Sequence, residues 1–358
     1  MSNTRFSISY LALLCAVSCQ SQPELFEPHS ASPDPTSRAF HFDEPGRTPE
    51  LLSRSGETAE DSIVAITGRS EFAVSDEYSP VILSSTRIAF VSRSNGKTDI
   101  WSIDTSTQGQ SSPDLVAGSD SNEKAPFVVL DDAIRAVTAG AKKGANGSPM
   151  NSARILFASD LLGPFQIFSS KLPRVRGEQI EIESRSSANW PTLSSDGRFL
   201  LCSILNEWGG YGIWKREIAT GAFSRVTDGQ RARWNPVNSK EFVYAKEAKG
   251  SWSIWRFTEE PYQTQMLIGG SGSVFDPAYS PDGNWIAYTS NATGSSDIWI
   301  ADIATRTPPK RVTYHGAADC QPEWSLDGKT VFFASNRANN WDIFAIDVGN
   351  LLSEDSPR

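Results

Sequence analysis

The residues that could do chemistry in this chain are few and poorly matched to one another. Nucleophilic hydrolysis needs a nucleophile, a general base and an orienting acid. The nearest approach to a strained serine elbow, Gly269-Gly270-Ser271-Gly272-Ser273, has the wrong order of glycines and reads as a strand exit. Of three histidines, His29 and His41 lie near the amino terminus, which leaves His315 as the one imidazole in the remainder of the chain. A single histidine neither pairs with a nucleophile nor builds a metal centre, which wants several His or carboxylate ligands converging on one ion. No metal and no cofactor is therefore expected. The enzymatic alternative that survives is a carbohydrate or peptide hydrolase working with carboxylates alone, for which Asp276, Glu207 and Asp319 are the candidates.

Composition narrows the classes further. The 358 residues include 11 Trp, 18 Phe and 8 Tyr, enough for a large core, and 26 Gly with 21 Pro suit many short strands joined by turns. The formal charge of −9 supplies no basic stripe to displace counterions, so nucleic acid is excluded as a partner.

The amino terminus is read apart from the fold. Arg5 precedes an apolar run, Tyr10 to Val17, that is too short to span a bilayer, and residues 1–18 read as a signal peptide. Ala16-Val17-Ser18-Cys19 resembles a bacterial lipobox, so Cys19 is the expected lipidation site, and Gln20 in place of Asp favours the outer membrane. Residues 19–60 carry Pro23, Pro28, Pro33, Pro35, Pro45 and Pro49 among Ser, Glu and Thr, and form a tether that buries too little to order itself.

From residue 61 to 350 the chain repeats. Phe275 to Thr313 shows the unit: a short strand, the Pro281-Asp282-Gly283 turn, an apolar strand Trp285 to Ser290, the alternating strand Asp297 to Asp302, and a polar fourth strand at Lys310 to Thr313. The third-strand aromatic recurs at Trp101, Phe168, Trp214, Trp255, Trp299 and Phe344, at intervals of 67, 46, 41, 44 and 45. The long first interval fits an insertion at about 139–152. An inner-strand proline keeps step at Pro80, Pro126, Pro191, Pro236, Pro277 and Pro322. Such periods mark propellers, and the count predicts an all-β, six-bladed propeller of four-stranded antiparallel blades, followed by a tail at 351–358. The last blade lacks an outer strand, and Ile63 to Gly68 resembles the outer segments Arg225-Val226-Thr227 and Arg311-Val312-Thr313. It is expected to pair onto blade six and close the ring. Cys202 and Cys320 fall in opposite blades, too far apart to bridge, and are expected as two unpaired thiols.

Ser280-Pro281-Asp282-Gly283, Ser325-Leu326-Asp327-Gly328, Ser195-Asp196-Gly197 and the Asp-Ile-Trp and Asp-Ile-Phe strands resemble the repeats of TolB-type β-propellers, the periplasmic WD-like family. The resemblance covers about 61–348 and is specific for fold rather than activity. It implies a secreted binding scaffold, or a propeller of the kind attached to serine peptidases, whose hydrolase domain the ten residues after Val348 leave no room for. The α/β domain that precedes the propeller in the family's founding member has no counterpart in Gln20 to Glu60.

The repeat also says where a site would lie. The entry to each inner strand and the loop between strands two and three share one face, around the channel mouth. There Tyr78, Trp190, Trp208, Trp234 and Phe275 would supply aromatic surface, and Asn235, Asp276 and Gln321 polar groups, suiting a peptide strand or a glycan. Large residues at strand starts can equally plug the channel. Trp101, Trp214, Trp255, Trp285, Trp299 and Trp324 are assigned to packing between blades, and the Asp of each Asp-Ile-Trp run to its turn. The reading is a non-catalytic, monomeric envelope lipoprotein, bound to the membrane through its lipid alone, on the outer membrane facing the periplasm or the cell surface. Its propeller binds an envelope protein, a peptide or a glycan.

Overall fold

The computed structural model describes residues 63–67 and 75–353, apart from short stretches of which 130–153, 172–177 and 180–185 are the longest. The signal peptide, Cys19, the tether, most of the tail and the insertion at 139–152 lie outside the described residues.

A short strand, β1 (Val64–Ala65), comes first. Blade one is β2 (Asp76–Ser84), β3 (Arg87–Ser94), β4 (Lys97–Asp104) and β5 (Asp114–Ala117). Blade two is β6 (Glu123–Val129), β7 (Arg154–Ser159), β8 (Gln166–Lys171) and β9 (Glu178–Gln179). Blade three is β10 (Ala188–Leu193), β11 (Phe199–Leu205), β12 (Tyr211–Glu217) and β13 (Phe223–Asp228). Blade four is β14 (Gln230–Trp234), β15 (Glu241–Ala248), β16 (Ser251–Glu259) and β17 (Tyr262–Ile268). Blade five is β18 (Val274–Tyr279), β19 (Trp285–Ser290), β20 (Asp297–Asp302) and β21 (Lys310–Arg311). Blade six is β22 (Asp319–Trp324), β23 (Thr330–Ser335) and β24 (Asp342–Asp347), with β1 as its fourth strand. Each of the six sheets is four-stranded and antiparallel, as the repeat predicts; five are meanders, and the sixth takes its outer strand from the start of the propeller.

The turns that set the register are built by side chains. In Ser280-Pro281-Asp282-Gly283 the Ser280 hydroxyl donates to Asp282 at 2.5 Å and accepts the Trp285 N–H at 2.9 Å, while Gly283 takes φ 73°. Ser194 with Asp196 and Ser325 with Asp327 repeat the arrangement. Apolar residues then alternate inward, and the core forms between successive blades rather than within one. Trp285 and Trp324, for example, pack in the seam of blades five and six, where Trp324 Nε1 donates to the Ala278 carbonyl at 3.0 Å. All six tryptophans assigned to packing sit in such seams.

Ring closure reproduces an ordinary outer-strand contact. In blade five, Val312 and Thr313 N–H groups donate to the Ile298 carbonyl at 2.8 and 3.4 Å, and Thr313 Oγ1 accepts the Ile298 N–H at 3.0 Å. In blade six, Ile66 and Thr67 donate to the Ile343 carbonyl at 2.8 and 3.3 Å, and Thr67 Oγ1 accepts the Ile343 N–H at 2.8 Å. The likeness between the two segments is thus a likeness of hydrogen bonding. Thr67 also donates to Asp342 at 3.1 Å, so the Asp of this strand secures the closing strand, whereas Asp297 accepts from Thr293 in its own turn at 2.6 Å.

Two expectations need correction. In blade four the residue that occupies the inner-strand proline position is Ala232, and Pro236 lies beyond the strand in the following turn. Of the two thiols, Cys202 is free and buried, its thiol pushed up to about 12 by desolvation. Cys320, however, is disulfide-bonded. Among the described residues no helix is long and apolar enough to cross a membrane.

Two predictions follow from the closing seam. Thr67→Val removes a buried hydroxyl that both donates and accepts, and should cost about 1–3 kcal/mol in urea unfolding. A loss below about 0.5 kcal/mol, the scatter of surface substitutions, would show that the closing strand is held otherwise. Glu77, buried against Asp342 across the same seam, is raised from 4.5 to about 8, chiefly by desolvation, with Ser75 and Ser92 donating to it and opposing the shift. Its folded value exceeds its unfolded one, so the stability it contributes is complete below pH 4.5 and is lost as pH rises through about 8. Glu77→Gln should match the parent near pH 5 and exceed its melting temperature at pH 9; parallel pH profiles of the two proteins would contradict this.

Candidate functional site: the channel mouth

Every inner strand carries one residue in the left-handed region: Ser79, Ala125, Trp190, Arg231, Asp276 and Gln321, with φ between 50° and 55°. None is glycine, and such a conformation costs about 1–3 kcal/mol per residue. Each sits where the register with the second strand shifts. The bulge turns six homologous side chains toward the axis, and the proline that follows in five blades forfeits no ladder hydrogen bond there. With their neighbours these residues line a channel that, with the open solvent above it, encloses about 490 Å³.

The mouth is a connected polar arc. Arg231 and Asp276, from adjacent blades, form a buried ion pair. The Arg231 guanidinium lies 4.9 Å from the Trp190 ring centroid, and Trp190 meets Tyr211 edge to face at 5.1 Å. Thr289 donates to the second oxygen of Asp276 at 3.4 Å and accepts the Gln321 N–H at 3.1 Å. Gln321 Oε1 then accepts from Ser79, from its N–H at 2.8 Å and its hydroxyl at 3.2 Å. The arc therefore runs from blade three through blades four, five and six to blade one. Its links show why it is ordered: Ser203 accepts the Arg231 N–H at 3.1 Å as Thr289 does for Gln321, but the matching position facing Ser79 is Ala334. Gln321 supplies the missing acceptor.

One layer deeper, residues from alternate blades meet. Arg233 lies 4.0 Å from Glu323 and 5.7 Å from the Phe127 ring, while Val81, Thr192 and Ala278 hold the same register in the intervening blades. Large and small residues thus alternate around the axis. Desolvation raises Glu323 to about 7 while Arg233 pulls it back. Among the described residues, no group of three or more His, Cys, Asp or Glu is placed to hold a metal.

Of the residues singled out from sequence, Trp190, Asp276 and Gln321 line the channel. Phe275 is half-buried at the rim, 6.4 Å from Trp252. Trp208 stands at the tip of the β11–β12 hairpin and is 92% exposed. Tyr78 packs in the seams flanking blade one rather than in the channel. Trp234 and Asn235 do not belong to the mouth. Trp234 is buried against Phe199 and Phe242, and Asn235 caps the turn at the far end of the strand, accepting the Val237 N–H at 3.0 Å. The misassigned Pro236 displaced them, and it hid Arg231 and Arg233. Spacing carried the signal: from inner proline to third-strand aromatic is 23, 22 and 22 residues in blades three, five and six, but 19 from Pro236.

The hydrolase alternative finds its acids engaged. Asp276 is held by Arg231, and Asp319 accepts two hydrogen bonds from Arg337 at 2.8 and 3.0 Å. Glu207 is exposed on the Trp208 hairpin, away from both.

Residues 232–353 match the TolB beta propeller domain model. An uncharacterized protein of Agrobacterium fabrum is 27% identical over 152 residues, 42% of this chain and 52% of that protein. The Tol-Pal system protein TolB of Xanthomonas campestris pv. campestris is 28% identical over 91 residues, 25% of this chain and 20% of that one. The matches thus span about half and a fifth of these relatives. The crystal structure of TolB from Acinetobacter baumannii superposes with a TM-score of 0.59 at 20% identity, covering 74% of this chain and 64% of that one. With six four-stranded blades and a strand-closed ring the chain is a six-bladed β-propeller, and its residues 232–353 are similar to the TolB beta propeller domain.

Proposed function

We propose that this chain is a non-catalytic envelope lipoprotein, monomeric and anchored through Cys19, whose propeller holds an envelope protein or peptide at the channel mouth. The observation that carries the reading is the polar arc from Trp190 to Ser79. Its charged groups neutralise one another and its one carboxylate, Asp276, is already bonded, an arrangement that preorganises a recognition surface and leaves no free acid–base pair within the arc. The likeness to TolB, a protein named for the Tol-Pal system, supports an envelope partner. A glycan remains the second ligand class, favoured by the rings of Trp190, Tyr211 and Phe275 on the same face. Outer-membrane placement, toward the periplasm or the cell surface, rests on the lipobox and Gln20.

The test is affinity capture from solubilised envelopes of the source organism, with the protein and a Trp190→Ala/Phe275→Ala variant as baits. The expected result is a partner retained by the parent and reduced at least about tenfold by a variant that melts normally. Equal retention by both baits would remove the mouth from the account.

A further inference from the structure

Among the described residues, the loops between strands two and three expose large apolar side chains in blades two and three alone; Trp341, in that loop of blade six, packs into the closing seam. The β7–β8 hairpin presents Leu161 and Leu162, 55% and 63% exposed, and the adjacent β11–β12 hairpin presents Trp208. Exposed apolar residues of this size are informative when they cluster. Phe165, at the base of the first tip, packs into the seam of blades two and three: its carbonyl accepts the Ala188 N–H at 2.8 Å, and its ring carries the ammonium of the buried Lys124 at 3.5 Å.

Both tips are rigid. Asp160 accepts from the Asn122 N–H and side-chain amide at 2.7 and 2.8 Å, Ser159 Oγ accepts the Leu161 N–H at 3.2 Å, and the Gly163 N–H closes on the Asp160 carbonyl at 2.9 Å. Asn206 Oδ1 accepts the N–H groups of Trp208 and Gly210 at 3.0 and 2.9 Å. The apolar side chains are thus held outward by turns fixed before any partner arrives, which lowers the entropic cost of binding. Asp160 and Glu207 flank them, and neither tip, 160–165 or 206–210, contains Lys or Arg.

We infer that the hairpin tips of blades two and three form a docking ridge for a polypeptide segment presenting apolar side chains flanked by basic ones. Charge complementarity selects this occupant. An anionic lipid surface would be repelled by two acidic tips on a chain of net charge −9, and a second copy of the ridge would bring like charges together. The inference deepens the reading of the mouth face as the working surface and rests on it, adding a side-specific grip beside the channel.

Fluorescence anisotropy on the full chain tests it with two labelled peptides of identical Leu and Phe spacing, one carrying Lys and Arg and one Glu at the intervening positions. The basic peptide should bind, the acidic one should not, and Leu161→Asn/Leu162→Asn and Trp208→Ser should each weaken binding about tenfold or more without changing the melting temperature. No binding of the basic peptide, equal affinity for both peptides, or affinity unchanged in both variants would overturn the ridge. Because the probes are synthetic, such failures leave partner capture through Trp190 and Phe275 standing, whereas failure of that capture does not alter the peptide result.

Discussion

The structure depends on pairing two residues, Val64 and Ala65, with Ala345 and Phe344 across the ends of the propeller. A six-bladed ring buries its apolar surface between blades, so an open seam would expose one full interface and a strand edge as well. The seam of blades six and one contains Ile66, Ile82, Phe90, Phe332 and Ile343, and it is as apolar as the other five. What differs is its polar fastening. The seam of blades five and six neutralises the acids Asp297 and Asp319 with Arg311 and Arg337. The closing seam sets Glu77 against Asp342 among hydroxyl groups, so burial favours keeping a proton there.

Closure also fixes the mouth. Six bulged, left-handed residues can converge on one axis only if the blades keep their angular spacing, and the bonds that hold them cross between blades: Arg231 to Asp276, Thr289 to Asp276 and Gln321, Gln321 to Ser79. Backbone strain repeated in every blade is part of the architecture. What varies is the side chain that the strained residue presents, and here four blades in succession carry Trp, Arg, Asp and Gln.

The fold was legible because its signals are local and repeated. Asp-Gly turns, a third-strand aromatic and alternating apolar residues each report a backbone requirement, and the closing strand betrayed itself by likeness to Val312-Thr313, whose hydrogen bonds Ile66-Thr67 repeats. The site was legible only in part. Trp190, Asp276 and Gln321 were found because a proline marks the bulge next to each. Arg231 was missed because Ala232 stands where the proline would be, and Pro236, a turn residue, took its place in the count. Arg233 and Glu323 were beyond reach for another reason: two residues past the bulge, their meeting across the axis depends on ring geometry that no single blade records. Cys320 was judged against Cys202 alone, and blade geometry speaks only to that pair.

The central claim is that one face of this ring, and not the other, engages a partner. Site-specific photo-crosslinking in intact cells tests it most directly, with the photoreactive residue placed in turn at Trp190 and Phe275 on the mouth face and at Val237 and Leu326, exposed on the opposite face. The account predicts a discrete crosslinked species from the mouth positions and none from the far face. The same species from Val237 and Leu326, with nothing from the mouth, would contradict it.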